Sequence, residues 1–336
     1  MKVLVTGATG MLGRRTAQAL LARGDEVTVL QRGESDLPCR EVLGDVADAS
    51  VVRRATEGQD AVVHLAAKVD VVGPWQEYAR ANIEGTRSIV AACRSVGVGS
   101  LVHVSSPAVA HAGHALVGVG AGPADPARAR GHYARSKATA EREALAADSP
   151  ALAVLCIRPH LVWGPGDPQL VDRIVSRALA GRLPVIGSGA ALIDTTYVDN
   201  AVEALVAALD ACPDVHGEAL VVSNGEPRTV IEILTRLCNS AGAPPPRGRV
   251  PVACARLAGA AVEQVWRILG RRSTPPLTSF LVEQLTTAHW FDQRRTREFL
   301  SWAPRVSLDE GFDELTAFYE KKGPATVSSE PRRSRL

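Results

Sequence analysis

Aromatic residues, paired cysteines and long apolar runs are all scarce in this chain of 336 residues. Phe, Trp and Tyr together make up 4% of it, and no stretch reaches the roughly 20 uncharged apolar residues that a membrane-spanning helix needs. The six cysteines stand far apart, with neither a Cys-x-x-Cys pair nor a zinc-type histidine spacing. We therefore expect a reduced, cytoplasmic protein without a metal site or a transmembrane segment. The run Met1–Val5 indicates a strand rather than the longer apolar core of a signal peptide.

The chain also lacks an excess of either charge. Lys and Arg number 38 against 36 for Asp and Glu, which leaves a formal net charge of +2. No basic stripe follows any predicted helix, so nucleic acid is not expected as a partner. Hydrophobic residues make up 46% of the chain, enough to bury a real core. The balance is that of an ordinary soluble enzyme with a small-molecule ligand.

Short β-branched runs alternate with longer helical patterns in the first half of the chain. This alternation is typical of a parallel sheet covered by helices on both faces. The predicted strands cover residues 2–6, 26–30, 41–43, 60–65, 100–105 and 151–157. The predicted helices cover residues 11–23, 48–57, 75–97 and 132–148. We therefore expect an α/β fold, with a doubly wound parallel sheet of the Rossmann type over residues 1–160.

The pattern becomes less regular after residue 160, where clusters of proline and glycine separate shorter elements. We expect a smaller substrate lobe over residues 161–322, with 190–211 packing back on the first domain. Residues 323–336 have no periodicity and predict a disordered tail. The apolar helical pattern over 252–269 predicts core packing, while the lining of an alkyl-chain channel or contact with a membrane surface stays open.

A glycine-rich turn follows the first predicted strand and opens the first predicted helix. Its sequence is Thr6-Gly7-Ala8-Thr9-Gly10-Met11-Leu12-Gly13. Gly7 permits the tight turn, Gly10 lacks the Cβ that would hold a pyrophosphate away, and Gly13 lets helix and strand pack closely. The pyrophosphate is then held at the positive end of the helix. We predict a dinucleotide site here, to which Thr6, Met11 and Leu12 also contribute.

The end of the second strand indicates which dinucleotide binds. NAD enzymes usually place an acid there to accept hydrogen bonds from the ribose 2′-hydroxyl, but this chain has Gln31 and Arg32. Arg32 can hold a 2′-phosphate through charge-assisted hydrogen bonds. We therefore expect NADP(H) rather than NAD(H). Asp45, after the third strand, is the candidate for the adenine amino group, with Val46 against the ring.

Tyr133 and Lys137 stand four residues apart in a helical pattern, so their side chains project from one face. Hydride transfer to a carbonyl carbon leaves an alkoxide that needs a proton, and a phenol beside an ammonium group can supply it. Lys137 is expected to favour the phenolate form of Tyr133 and to hold the nicotinamide ribose. The fifth strand ends at Ser105 and Ser106. We choose Ser106 to polarise the substrate oxygen and assign Ser105 a supporting role, because neighbours on a strand point to opposite faces.

These residues together resemble the extended short-chain dehydrogenase superfamily, and more closely its 3β-hydroxysteroid dehydrogenase group. The closest resemblance is to bacterial 2-alkyl-3-oxoalkanoate reductases. The segments that carry the finer likeness are His64-Leu65-Ala66-Ala67-Lys68, Ala81-Asn82-Ile83-Glu84-Gly85-Thr86, Val102-His103-Val104-Ser105-Ser106-Pro107, Arg158-Pro159-His160, Trp163-Gly164-Pro165-Gly166-Asp167-Pro168 and His289-Trp290-Phe291-Asp292.

The resemblance implies reduction of a 3-keto group with NADPH. It also implies that Asn82 helps to position the active-site helix and that the turn of Pro159, His160 and Leu161 borders the nicotinamide. Residues Ala66, Ala67 and Lys68 are expected to contact the cofactor. The Gly- and Ala-rich loop 108–131 departs from the group, because relatives carry several acids and a proline before the tyrosine.

Other interpretations stay open at this point. Oxidation of a 3β-hydroxysteroid or 4-carboxysterol uses the same three residues, and a sugar-nucleotide epimerase or dehydratase shares the fold. A cofactor-sensing protein on this fold commonly lacks the tyrosine and lysine. His103, His160 and His289 are expected to be hydrogen-bonded structural histidines, with His160 also a neighbour of substrate or cofactor. A homodimer through helices of the first domain is expected by analogy alone.

Overall fold

The computed structural model of the protein describes residues 1–70, 73–111, 113–269 and 275–322. A sheet of seven parallel strands is covered by helices on both faces, and a smaller lobe lies beside it. The tail predicted at residues 323–336 lies outside the described residues. Within the described ranges, no helix combines the length and the hydropathy needed to cross a membrane.

The elements are numbered in chain order. The first part contains β1 (Lys2–Thr6), α1 (Met11–Arg23), β2 (Glu26–Gln31), β3 (Arg40–Leu43), α2 (Ala49–Thr56), β4 (Ala61–His64), α3 (Trp75–Tyr78), a π-helical turn (Ala79–Glu84), α4 (Gly85–Val96), β5 (Ser100–Val104), a 3-10 turn (Pro107–Ala110), β6 (Leu116–Val119), α5 (Gly131–Leu145) and β7 (Ala153–Pro159).

The second part contains shorter strands and longer connections. Its elements are β8 (Val162–Trp163), α6 (Val171–Leu179), β9 (Val185–Ile186), β10 (Leu192–Ile193), β11 (Thr196–Tyr197), α7 (Val198–Ala211), β12 (Glu218–Val222), β13 (Arg228–Thr229), α8 (Val230–Ser240), β14 (Arg249–Val250), α9 (Val252–Ile268), α10 (Ser279–Thr286), β15 (His289–Phe291), α11 (Arg294–Leu300) and α12 (Leu308–Lys322).

The large sheet has the strand order β12-β7-β5-β4-β1-β2-β3, and every pair in it is parallel. The order reverses between β1 and β4, which makes the carboxyl ends of these strands the place where a ligand binds in such folds. One face is covered by α1 and α7, whose Leu20 and Leu205 share a buried cluster with Val5. The other face is covered by α2 and α4. The doubly wound α/β fold is thereby confirmed.

Three parts of the chain differ from the sequence expectation. Strand β12, inside the predicted lobe 161–322, pairs with β7 and completes the large sheet. The single helix expected over 75–97 is interrupted by the π-helical turn, where the Thr86 hydroxyl donates to the Asn82 carbonyl at 2.7 Å. Such side-chain bonds compete with regular helical pairing. The loop 108–131 contains β6, which pairs with β15 in a second sheet of order β13-β10-β15-β6.

Helix α5 is tied to the large sheet by an ion pair that water does not reach. Arg158 on β7 donates from Nη2 and Nε to the two carboxylate oxygens of Glu141 at 2.5 and 2.8 Å. The side chains are 1% and 0% exposed, and the guanidinium also donates to the carbonyl of Ala121. A buried charge that loses its partner is costly, because the protein interior does not replace the lost hydration.

We expect Arg158→Leu to lower the free energy of unfolding by about 3–5 kcal/mol, because Glu141 is left buried and unpaired. The exposed pair of Arg87 and Glu143, 2.6 Å apart, provides the control. Arg87→Leu is expected to cost about 1 kcal/mol or less. Urea unfolding followed by circular dichroism measures both. Equal losses in the two variants would contradict the importance of the buried pair.

Candidate active site

The glycine-rich turn has the steric requirements that the sequence predicts. Gly7 has a φ of +80°, and a Cβ there would stand 2.9 Å from the backbone of Ala66. A Cβ on Gly13 would stand 2.4 Å from the Gly7 carbonyl oxygen. At Gly10 the nearest atom to a Cβ is 3.5 Å away, and no side chain caps the helix that begins there. The turn therefore leaves an open helix N-terminus, which fits a pyrophosphate.

The structure gives Asp45 a different contact from the expected one. Its carboxylate accepts from Arg80 Nη2 at 3.1 Å and from the backbone of Ala47 at 2.9 Å, so the group expected to meet the adenine amino group already has a cation beside it. Val46 is buried, and its side chain leaves no room for a Cβ on Gly85. Val46 thus packs the start of α4 against the loop after β3.

Asn82 joins the loop after β4 to helix α5. Its Oδ1 accepts from the backbone of Lys68 at 2.7 Å, and its Nδ2 donates to the Lys68 carbonyl and to Ser136 Oγ at 3.1 and 2.8 Å. Ser136 in turn donates to the Tyr133 carbonyl. The Lys68 ammonium contacts Asp70 and Glu77, each at 3.0 Å. The backbone of Lys68, rather than its charge, is thus part of this connection.

A buried hydrogen-bond chain, which the sequence reasoning missed, connects the glycine turn to Asn82. The Thr6 hydroxyl accepts from the backbone of Ala66 and meets His64 Nδ1 at 2.8 Å. His64 Nε2 meets Thr86 Oγ1 at 3.2 Å, and Thr86 donates to Asn82. Burial lowers the pKa of His64 to about 3, with a smaller contribution from the charge of Lys137. A neutral His64 can donate at one nitrogen and accept at the other, as this chain requires.

Ser106 and Tyr133 meet at the carboxyl end of β5. The Ser106 hydroxyl lies close enough to the Tyr133 phenol to affect its pKa. Ser106 Oγ also accepts from the backbone of Ala108 at 3.3 Å, so it caps the 3-10 turn as well. Ser105 faces the other way, with its hydroxyl buried and no partner among the described residues. Burial raises the pKa of Tyr133, and the neighbouring Ser106 hydroxyl opposes that shift. The phenol is therefore protonated at neutral pH.

Lys137 lies on the same helix but points its ammonium group at the sheet. Its Nζ donates to the carbonyl of Val104 at 2.5 Å, and the side chain is 3% exposed. Burial lowers the pKa of Lys137 to about 8, while the carboxylate of Glu141 opposes that shift. The sequence expectation had Lys137 favouring the Tyr133 phenolate. In the structure, burial outweighs any such effect on the pKa of Tyr133.

The turn after β7 is held in a constrained conformation. Leu161 has a φ of +43°, which is uncommon for a residue with a side chain. His160 Nδ1 donates to the Asp194 carbonyl at 2.5 Å, and His160 itself follows Pro159 at the strand end. Burial lowers the pKa of His160 to about 4. A neutral imidazole therefore stands at the carboxyl edge of the sheet, beside the strand that leads to Ser106.

Three histidine rings and a glutamate form a buried cluster that the sequence did not indicate. The ring of His289 is 5.3 Å from that of His160 and 6.2 Å from that of His111. Glu283 on α10 contacts His111 at 3.8 Å and Arg130 at 3.2 Å. Burial lowers the pKa of His289 to about 3, against a smaller opposite effect of the Gln284 backbone.

The histidines were expected to be hydrogen-bonded, and this expectation is wrong for two of the three. His160 has the bond to Asp194, but neither ring nitrogen of His103 or His289 has a partner with hydrogen-bond geometry among the described residues. His103 is enclosed within the large sheet, and its pKa is lowered by burial and by the neighbouring charge of Lys137. Strand pairing places His103 opposite His64, and their ring centroids lie 5.4 Å apart without hydrogen-bond geometry.

The pKa of Lys137 leads to a prediction about stability. The group binds its proton more weakly in the folded chain than in the unfolded chain, so its burial costs stability wherever both states are charged, below about pH 8. The cost disappears as the pH rises from there toward 10.5. We expect the free energy of unfolding of Lys137→Met at pH 7 to equal that of the wild type or to exceed it by up to about 3 kcal/mol. The difference should be smaller at pH 9.5.

Thermal or urea unfolding at several pH values measures this difference, and the exposed Lys321→Met is the matched control with no expected change. A Lys137→Met protein that is clearly less stable at pH 7, or a difference that does not shrink as the pH rises, would show that burial of the Lys137 charge does not cost stability.

Comparison with known proteins assigns the chain to a family. Residues 3–223 match the model of the NAD dependent epimerase/dehydratase family. The chain is 40% identical over 326 residues to a 2-alkyl-3-oxoalkanoate reductase of Stenotrophomonas maltophilia (strain K279a), a match that covers 94% of this chain and 99% of that protein. It is 36% identical over 328 residues to a 2-alkyl-3-oxoalkanoate reductase of Shewanella oneidensis, which covers 93% and 85%.

A solved structure and a further sequence relative agree with these matches. The structure of MoeE5 in complex with UDP-glucose and NAD superposes with a TM-score of 0.73 at 26% identity and covers 96% of this chain and 99% of that one. A 3-beta-hydroxysteroid dehydrogenase of Mycolicibacterium neoaurum is 28% identical over 334 residues, covering 95% of this chain and 91% of that protein. The resemblance inferred from the motifs is confirmed. The chain belongs to the NAD dependent epimerase/dehydratase family and is an NAD(P)-dependent oxidoreductase.

Proposed function

We propose that the protein reduces the 3-keto group of a hydrophobic 2-alkyl-3-keto acid with NADPH. The observation that carries the proposal is the proximity of the Ser106 and Tyr133 hydroxyl groups at the carboxyl edge of the sheet, the edge at which the glycine turn leaves its helix end open. The names of the two reductase relatives support the substrate class. All six cysteines are free, which supports the proposed cytoplasmic location.

The chemistry needs one hydride and one proton for each carbonyl group. When bound, NADPH supplies the hydride to the 3-keto carbon. Tyr133 donates its phenolic proton to the carbonyl oxygen, so that the C=O group becomes CH–OH. Ser106 donates a hydrogen bond to the same oxygen and withdraws charge from it as the bond to carbon forms. Because burial raises the pKa of Tyr133, the phenol carries its proton at neutral pH, as reduction requires.

Lys137 contributes positive charge to this site from within the protein. Its ammonium group is fixed by the Val104 carbonyl one residue before Ser105, and Glu141 favours its charged form. A fixed cation near the developing alkoxide lowers the energy of the negative charge in a water-poor site. The buried pair of Glu141 and Arg158 therefore also serves catalysis, through Lys137.

The preference for NADPH rests on the loop after β2. Gln31 is buried and donates to Glu41 at 2.5 Å, and the backbone and hydroxyl of Ser35 donate to the same carboxylate oxygen. The Glu41 carboxylate on β3 is thus occupied by hydrogen bonds from Gln31 and Ser35. Arg32 is exposed and forms no ion pair with the described residues, so its guanidinium is available to a 2′-phosphate.

Arg14 stands near the same loop. Its Nη2 lies 3.3 Å from the carboxylate of Asp36, which is 92% exposed. An exposed ion pair of this kind is weak, so Arg14 can exchange Asp36 for a phosphate at little cost. We propose Arg14 as a second contact to the 2′-phosphate.

The proposed partners are a hydrophobic small-molecule substrate and a second copy of the chain, bound as a homodimer through helices of the first domain.

Replacing Tyr133 by phenylalanine removes the proton donor and leaves the ring in place. We expect kcat for a 2-alkyl-3-keto acid to fall about 10²- to 10⁴-fold, the usual contribution of a positioned acid. NADPH binding, followed by fluorescence titration, is expected to stay within about twofold because the ring remains packed. Turnover is followed by NADPH absorbance over a panel of 2-alkyl-3-keto acids, 3β-hydroxysteroids and sugar nucleotides. Full activity in the variant, or turnover of steroids or sugar nucleotides alone, would refute the proposal.

Reversing the charge of Arg32 tests the cofactor preference. We expect the wild type to favour NADPH and Arg32→Glu to lose about 10- to 100-fold in kcat/KM with NADPH, since a charge-assisted contact is worth about 1.5–3 kcal/mol. The value with NADH is expected to change little. The exposed Arg54→Glu on α2 makes the same charge change elsewhere and serves as the control. Preference for NADH in both wild type and Arg32→Glu would show that the assignment is wrong.

A further inference from the structure

Helix α9 presents an apolar face to solvent. Leu257, Val265, Ile268 and Leu269 are 74%, 45%, 72% and 56% exposed. At the spacing of an α-helix, Leu257, Val265 and Ile268 lie along one side together with Ala261, which is also exposed. We call Leu257, Ala261, Val265 and Ile268 the α9 apolar face. Core packing was the sequence expectation for residues 252–269, and it is wrong for Val265 and Leu269, which are exposed.

The opposite side of α9 is the one that packs. Ala255 is 1% exposed, and a Cβ on Gly259 would stand 3.0 Å from the backbone of Thr278 and Ser279 at the start of α10. Glu263 accepts from the Ser279 backbone at 2.8 Å. Close contact through small residues therefore fixes the helix in one orientation, and that orientation leaves its bulky residues outside. A contiguous exposed apolar stripe of this kind marks an interaction surface.

The sequence segment that contains α9 is rich in arginine. Residues 247–272 contain six arginines and one glutamate, a net charge of +5, whereas the whole chain carries +2. The rest of the chain is therefore net negative, and the near balance of the full composition hides this segment. The glutamate, Glu263, is bonded to Ser279, and Arg256 is exposed. An apolar stripe within an arginine-rich segment is the pattern of a helix that lies on an anionic lipid surface.

We propose that the α9 apolar face docks on an anionic lipid surface. The helix, about 25 Å long at 1.5 Å per residue, lies flat with Leu257 and Ile268 in the acyl boundary while the exposed Arg256 binds a phosphate group of the lipids. A second copy of this chain fits less well, because joining two such faces brings two segments of charge +5 together.

The docking surface is one helix away from the active site. Helix α9 packs on α10, and Glu283 of α10 contacts Arg130, three residues before Tyr133, and His111, five residues after Ser106. A long-chain substrate that dissolves in lipid would thus reach the site from the surface on which the protein rests. This benefit depends on the proposed function, whereas the docking itself depends only on α9.

Flotation of the full-length protein with vesicles tests the docking. We expect it to float with vesicles of phosphatidylcholine and phosphatidylglycerol, at least about tenfold less with phosphatidylcholine alone, and less as salt is raised. Leu257→Asp with Ile268→Asp is expected to abolish flotation, and Arg256→Glu to weaken it. Leu43→Asp, which places an acid at an exposed apolar position of β3, is the matched control and should float like the wild type.

A second readout keeps the test independent of folding defects. Cys254 is exposed on α9, three residues before Leu257, and the other cysteines are buried or half-buried. In a Cys39→Ser background, a polarity-sensitive fluorophore on Cys254 should shift its emission to the blue when anionic vesicles are added.

Flotation that is absent, or equal with neutral and anionic vesicles, would overturn the proposal, as would an unshifted emission. A wild-type dimer that the double aspartate variant converts to a monomer, without vesicle binding, would show that a second copy covers the face instead. Reduction of a short-chain keto acid should be unchanged in the double variant. Since neither vesicle readout involves turnover, their failure would leave the proposed function standing.

Discussion

Helix α5 is held against the central sheet by charges that water does not reach, and the arrangement of the site depends on this attachment. Glu141 and Arg158 bond in two places with both side chains buried, and one turn earlier Lys137 bonds to the carbonyl that ends β5. Asn82 and Ser136 secure the first turn of the same helix. Tyr133 is therefore positioned from the sheet side and the loop side at once, with its hydroxyl near Ser106.

Desolvation determines the protonation states at this edge of the sheet. It raises the pKa of Tyr133 and lowers those of Lys137, His64, His160 and His289. The result is a protonated phenol and neutral imidazoles near one ammonium group, whose charge Glu141 supports. Such a site can give a proton to a forming alkoxide without taking one from water. A protonated phenol and an exposed Arg32 both agree with the proposed direction, which is reduction.

The parts of the site that local chemistry determines could be predicted from the sequence. Gly7 and Gly13 are required by backbone contacts within one turn, and Ser106 was separated from Ser105 by strand alternation alone. What escaped prediction depends on residues far apart in the chain. Asn82 bonds to the backbone of Lys68, β12 joins the sheet from the predicted lobe, and the ring cluster needs His111 and His289 on separate elements. Helix α9 is a further example, because its sequence pattern does not reveal which side of the helix packs against the rest of the protein.

Net hydride transfer to the substrate is the central claim, and isotope transfer tests it most directly. NADPH that carries deuterium at the transferred position of C4 is incubated with the protein and a 2-alkyl-3-keto acid, and the product is analysed by mass spectrometry. The account predicts a hydroxy acid that is one mass unit heavier, with the deuterium at C3, formed in equal amount to the NADP⁺ released. A product without the label at C3, or label retained on a cofactor that stays bound through turnover, would contradict it.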